Sequence, residues 1–210
     1  MKITVIGAGN MGSAFVSQLI RAGHQVSVTA RSGANASKVA AAHPGARAVG
    51  IAGAATGADA VVVATGYADA VTALQAVGDL KGKVVIDITN PLTADYMGLT
   101  IGHSTSTGEE IAKAVPGAEV VKAFNTVFAQ VLAEGADFGS GRKVEVFVAS
   151  DSERAKQTAT AIAQSIGFSV VDAGGLKNAR YLEPLAGLNI YLAYGAGQGT
   201  GIAPTWIRKA

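Results

Sequence analysis

The chain has no cysteine, which removes disulfide frameworks, thiolate zinc sites, iron–sulfur clusters and redox-active CxxC pairs from consideration. Aromatic residues make up only 6% and charged residues only 15%. No apolar run reaches the roughly 18–20 residues needed to span a bilayer. The opening MKITVIGAGNMG lacks the layout of a signal peptide. The expectation is a cytoplasmic α/β protein without a membrane span. Seventeen basic residues against 15 acidic ones give a formal net charge of +2, too balanced for a general nucleic-acid binder. His24, His43 and His103 have no metal-ligand spacing, so no metal is expected. The most informative absence is local. Asp59 is the first acid of the chain, although Lys2, Arg21, Arg31, Lys38 and Arg47 all precede it.

What the chain has in quantity is Ala, Val, Ile and 27 glycines over 210 residues. At roughly 100–200 residues per domain this allows one full domain and a small appendage. Short β-branched runs alternate with Ala-rich helical stretches. Strands are expected at Lys2–Ile6, Gln25–Thr29, Arg47–Ile51, Ala60–Ala64, Lys83–Ile88 and Glu119–Phe124. Helices are expected from about Asn10 to Ala22 and over Asn35–His43, Ala68–Val77, Gly108–Ala114 and Asn125–Ala133. This rhythm is that of a doubly wound parallel sheet, a Rossmann domain. The composition of Gly135–Gly141 suggests a boundary. We therefore expect a dinucleotide domain over residues 1–137 and a small α/β domain over 138–210. In the latter, strands at Lys143–Ala149 and Phe168–Asp172 flank a helix capped by Ser150 or Asp151, and a last helix runs from about Asn178 to Tyr194.

Gly7-Ala8-Gly9-Asn10-Met11-Gly12 is a G-x-G-x-x-G pattern that follows the first strand and opens the first helix. Gly7 permits the tight turn, Gly9 lets a pyrophosphate approach the backbone, and Gly12 lets helix and strand pack closely. The helix N-terminus offers free N–H groups and positive potential to the phosphates. NAD enzymes place an acid at the end of the second strand to accept from the ribose 2′-OH. Here that position reads Thr29-Ala30-Arg31-Ser32, with Lys38 further on. A guanidinium and a hydroxyl suit a 2′-phosphate, so NADP(H) is the expected cofactor.

Three further strand ends can face the crevice, namely Ala64-Thr65-Gly66-Tyr67, Thr89-Asn90-Pro91 and Phe124-Asn125-Thr126. Their polar groups could orient a carboxamide and a ribose. No residue stands out for proton transfer. The Tyr–Lys pair four apart is missing, as are H-E-x-x-H and G-x-S-x-G, and His103 is the one plausible catalytic imidazole. Hydride transfer between two stacked rings needs no such group, only proximity and orientation.

These residues carry a resemblance. The chain resembles the NADPH-dependent reductases of the deazaflavin coenzyme F420, a family related to the oxidoreductase domain of STEAP-type metalloreductases. The similarity rests on KITVIGAGNMG, on Arg31-Ser32, on ITNP (Ile88–Pro91), on VVKAFNT (Val120–Thr126) and on DAGGLKNARYLEPL (Asp172–Leu185). It implies that Gly9, Asn10 and Met11 hold the pyrophosphate, and that Thr29, Arg31, Ser32 and Lys38 hold the 2′-phosphate. It also implies that Thr65, Asn90, Pro91 and Asn125 flank the nicotinamide and its acceptor, with Asn125 and Asn90 as the residues of the reaction centre. A small C-terminal domain would close the cleft, and the protein would be a homodimer. The chain departs from the archaeal pattern at Asn125 and over Asn90–Leu99. The acceptor is therefore open between F420 and a flavin, FMN or FAD. The alternatives are reduction of a small carbonyl or imine, or a non-catalytic NADPH sensor.

Overall fold

The computed structural model describes every residue except Ser140, Arg208 and Ala210. Six strands form a parallel sheet: β1 (Lys2–Ile6), β2 (Gln25–Thr29), β3 (Ala46–Ala48), β4 (Ala60–Val63), β5 (Val84–Asp87) and β6 (Glu119–Lys122). Their order is β3-β2-β1-β4-β5-β6. The chain therefore reverses its winding between β1 and β4, which opens a crevice beyond the carboxyl ends of those strands.

The central strands β4 (AVVV) and β5 (VVID) are near-continuous apolar runs because both faces are covered. Ile3, Val5, Val62, Val84, Ile86 and Val121 pack on one side with α1 (Asn10–Arg21), α2 (Gly33–Ala42), α5 (Ala129–Glu134) and α6 (Glu153–Ser165). Ile6, Val61, Val63, Val85 and Val120 pack on the other with α3 (Tyr67–Ala76) and α4 (Thr107–Ala114). A second, two-stranded parallel sheet joins β7 (Glu145–Val148) to β8 (Ser169–Asp172). It meets the edge of the large sheet through an antiparallel bridge, in which Lys122 and Ala149 exchange backbone hydrogen bonds of 2.9 and 3.0 Å. α7 (Ala179–Ile190) follows and passes into one π-helical turn, Tyr191–Gly195.

Three local departures from the sequence expectation have physical causes. β6 stops at Lys122, not Phe124, because Phe124 takes a left-handed backbone with φ of 60°. The next residues form a turn, and α5 starts only at Ala129. Neither Ser150 nor Asp151 caps α6. Ser152 does so, accepting from the Ala155 N–H. The Ser150 hydroxyl instead donates to the Val120 carbonyl, and the Asp151 carboxylate accepts from the Leu176 N–H. α2 begins two residues earlier than Asn35, because Ser32 is its N-cap.

Candidate functional site

A cavity of about 780 Å³ lies along the crevice, within the size range of small-molecule sites. One end is the glycine turn, contributed by Gly9, Asn10 and Met11, facing Ala64 and Gly66 at the end of β4. The middle holds Asn90, Asn125 and Thr126. The far end is a chamber of Leu92, Met97, Phe128, Ile190 and Tyr194, with Tyr96 and Asp95 at its rim.

The glycines of the turn divide their work. A Cβ on Gly7 would lie 2.3 Å from the Ala64 carbonyl oxygen, and one on Gly12 would lie 2.0 Å from the Gly7 carbonyl oxygen. Gly7 also has φ of 123°, in the region that favours glycine. These two positions are closed to any side chain. A Cβ on Gly9 would meet nothing within 4 Å and would project into open space. That open space beside the first free N–H groups of α1 is the kind of cradle into which a pyrophosphate fits.

At the carboxyl ends of β1 and β2, the Gly7 N–H donates to the Thr29 carbonyl at 2.8 Å. Thr29 is fully buried and its hydroxyl meets no partner. Its observed part is to anchor the turn. Arg31 is almost wholly exposed and lies 3.8 Å from Asp69 in the first turn of α3. The acid-free opening of the sequence therefore does not keep carboxylates from this end of the crevice. The Ser32 hydroxyl caps α2 by accepting from the Asn35 N–H. Lys38 is exposed on α2, five residues past its first. At 1.5 Å per residue it sits about 8 Å along the helix from that N-terminus.

Asn125 is placed by the left-handed turn at Phe124, whose ring is buried edge-on between Phe15 and Phe168 at 5.0 and 6.1 Å. Asn125 is itself buried. Its amide nitrogen donates to the Asn90 Oδ1 at 3.0 Å and to the Leu182 carbonyl of α7 at 2.9 Å. The Asn90 amide donates in turn to the Asn125 carbonyl at 2.8 Å. With both N–H groups spent on carbonyl oxygens, the orientation of the Asn125 side chain is fixed. Its Oδ1 is left as a buried acceptor without a partner, and the Thr126 hydroxyl shares that condition. Such atoms are costly unless something donates to them.

The remaining expected residues lie around this line rather than on it. Thr65 donates to the neighbouring Gly66 carbonyl, and the Pro91 carbonyl accepts from the Thr100 N–H at 2.7 Å. Ala30 is half-buried after β2. The phenol of Tyr67 is pushed above its ordinary pKa, first by burial and then by the carboxylates of Glu110, Glu183 and Asp87. His103 is exposed, with its carbonyl accepting from Arg180 at 3.3 Å, and it does not line the cavity.

Sequence reasoning missed a buried ion cluster beneath the site. Lys122 lies 2.6 Å from Asp87 and 2.9 Å from Glu183, with all three side chains at 0–1% exposure. Asp87 and Lys122 are register partners at the ends of β5 and β6. The signal was present in the sequence, as opposite charges that close the apolar runs of VVID and EVVK.

Comparisons with known proteins agree with this architecture. Residues 2–91 match the family model described as NADP oxidoreductase coenzyme F420-dependent. The F420-dependent NADP reductase of Methanothermobacter thermautotrophicus (strain Delta H) is 30% identical over 211 residues, covering 91% of this chain and 89% of that protein. The chain belongs to the coenzyme F420-dependent NADP oxidoreductase family. A solved structure of a candidate F420-dependent NADP reductase from Arthrobacter sp. FB24 superposes on this family member with a TM-score of 0.88 at 31% identity. The match covers 99% of this chain and all of the other. Rat metalloreductase STEAP3 is 28% identical over 88% of this chain, which spans only 36% of that longer protein. An imine reductase from Pseudomonas, at 20% identity and a TM-score of 0.68, shares the fold. Among the described residues no helix is long and apolar enough to cross a membrane.

Proposed function

We propose that the protein passes hydride between NADP(H) and a planar ring acceptor, the deazaflavin F420 or a flavin (FMN or FAD). One observation carries this reading. A single cavity is lined by the glycine turn, by Asn90 and Asn125, and by an apolar group that includes Phe128 and Tyr194, and the Asn125 Oδ1 beside it is buried without a partner. The phosphates belong at Gly9, Asn10 and Met11, and the 2′-phosphate beside Arg31, Ser32 and the α2 N-terminus. Asn125, whose Oδ1 lacks a partner, would accept from the carboxamide N–H of the nicotinamide, with Ala64 and Gly66 lining the same cavity. Bound NADPH supplies the hydride.

The residues of this chain contribute binding, orientation and exclusion of water. Asn90 and Asn125 hold one ring. Leu92, Met97, Phe128 and Ile190 desolvate the other, and Tyr194, set edge-on to Phe128 at 6.1 Å, gives it a wall. Holding two rings in register can supply several kcal/mol of the barrier without any proton-transfer group. In this reading residues 1–137 form the NADP(H) half. Residues 138–210 close the acceptor half and supply the homodimer contact, for which the exposed Tyr181, Leu188 and Tyr191 of the last helix are available.

The test is NADPH oxidation with F420, FMN, FAD, riboflavin and a panel of carbonyl and imine compounds offered separately. Turnover with a deazaflavin or flavin supports the proposal. Turnover confined to carbonyls or imines overturns the acceptor assignment, and no turnover with tight NADPH binding favours a sensor.

A further inference from the structure

The Lys122 ammonium sits at the root of both groups that hold the Asn125 amide. Its Nζ donates to the Thr89 carbonyl at 2.7 Å, and Thr89 is the chain neighbour of Asn90. The same nitrogen pairs with Glu183 at 2.9 Å, and Glu183 is the chain neighbour of Leu182. Asn90 and Leu182 are the residues to which the Asn125 amide donates.

Each anchor is fixed more than once. Asp87 Oδ1 accepts from the Thr89 N–H at 2.8 Å and from its hydroxyl at 2.7 Å, while Asp87 Oδ2 takes Lys122 at 2.6 Å. Glu183 accepts from the Thr107 N–H at 3.0 Å, the Thr107 hydroxyl at 2.7 Å and the Gly108 N–H at 3.3 Å, all at the start of α4. The Thr107 hydroxyl also accepts from Lys122 at 2.6 Å. Two carboxylates on one ammonium leave one negative charge in excess, and the N-terminus of α4 faces it. A cluster buried this completely is costly to assemble and is weak evidence for a gain in stability alone.

We infer that Lys122, clamped between Asp87 and Glu183, is a positioning residue that sets the Asn90–Asn125 pair and so fixes the buried, unpartnered Asn125 Oδ1 beside the crevice. The inference rests on the proposed meeting of Asn125 with the nicotinamide carboxamide, and names what enforces it. Cutting the cluster at Glu183 frees the Leu182 carbonyl to move with α7. The Asn125 amide then loses a fixed acceptor and its orientation.

The experiment compares binding of NADP⁺ with that of its 3-acetylpyridine analogue, which keeps a carbonyl but lacks the carboxamide N–H. 2′,5′-ADP reports the adenosine end alone. The parent protein should prefer NADP⁺ by roughly 3–10-fold, as one neutral hydrogen bond gives. Asn125→Ala should abolish that preference, and Glu183→Gln should reduce it to below about 2-fold. The double variant Asn125→Ala/Glu183→Gln should be no worse than Asn125→Ala, and 2′,5′-ADP should bind all of them equally. If Glu183→Gln keeps the parent preference, or its effect adds to that of Asn125→Ala, the positioning role is wrong. If Asn125→Ala itself keeps the preference, the carboxamide assignment fails and takes the inference with it. Should Glu183→Gln not fold, Asp87→Asn loosens the same cluster at Lys122 and Thr89 and is judged by the same outcomes.

Discussion

Gly9→Ala and Gly12→Ala look alike in the sequence motif, yet the structure assigns them opposite consequences. A Cβ on Gly12 would lie 2.0 Å from the Gly7 carbonyl oxygen, where ordinary carbon–oxygen contact begins at roughly 3.3 Å. Helix α1 would have to leave β1 by about 1 Å, and overpacking of that kind costs about 1–3 kcal/mol. For a chain of this size each kcal/mol shifts Tm by about 2–4 °C, so Gly12→Ala should lower Tm by roughly 2–12 °C. A Cβ on Gly9 meets nothing, and its backbone at φ −84°, ψ −167° is one that alanine accepts. Its Tm should stay within about 2 °C of the parent. The new methyl nevertheless fills the space assigned to the pyrophosphate, and NADPH affinity should fall at least about 10-fold, or about 1.4 kcal/mol. Thermal denaturation and calorimetric titration read the two quantities separately. A Gly9→Ala protein that binds NADPH as tightly as the parent would refute the placement of the phosphates.

The other predictions concern the cofactor end, the core and pH. Arg31→Ala should weaken NADPH by about 10-fold and leave NADH within 2-fold, the low end for a charge-assisted contact because Arg31 is solvent-exposed; equal losses for both would sink the 2′-phosphate assignment. Asp69→Asn should tighten NADPH by about 2–5-fold in low salt by releasing Arg31, and the gain should fade as salt is raised. Phe124→Ala removes a fully buried ring between Phe15 and Phe168 and should cost about 3–5 kcal/mol in denaturant unfolding. The Arg180 guanidinium, helped by Ser106, holds the Glu109 carboxyl below its ordinary value. A depressed carboxylate contributes stability that is present above the ordinary carboxylate range near 4–4.5 and is lost as pH falls through the lowered value. The Tm deficit of Arg180→Gln should therefore be largest near neutrality and shrink toward about pH 3.

The sheet was legible because short β-branched runs alternate with helical stretches, the central strand AVVV being apolar on both faces, and KITVI and QVSVT end where the structure ends them. The glycine turn was legible because its spacing encodes steric closure at Gly7 and Gly12 together with an opening at Gly9. Phe124 was not, since an aromatic residue at φ of 60° is held there by Phe15 and Phe168, which are remote in sequence. The ion cluster was half legible. Asp87 and Lys122 break apolar strands at matched register, but nothing in LEPL announces that Glu183 is buried against them. The acid-free stretch before Asp59 pointed to a phosphate, and only the fold could reveal that α3 delivers Asp69 to the same place.

The proposed reaction is direct hydride passage from NADPH to a ring held in the Phe128–Tyr194 chamber. It is tested most directly with NADPH deuterated at one face of the nicotinamide C4 and the deazaflavin as acceptor. Deuterium from one face alone should arrive on the reduced deazaflavin ring carbon, with a slower rate for the labelled compound. Label found in solvent, or transferred from both faces equally, would contradict it.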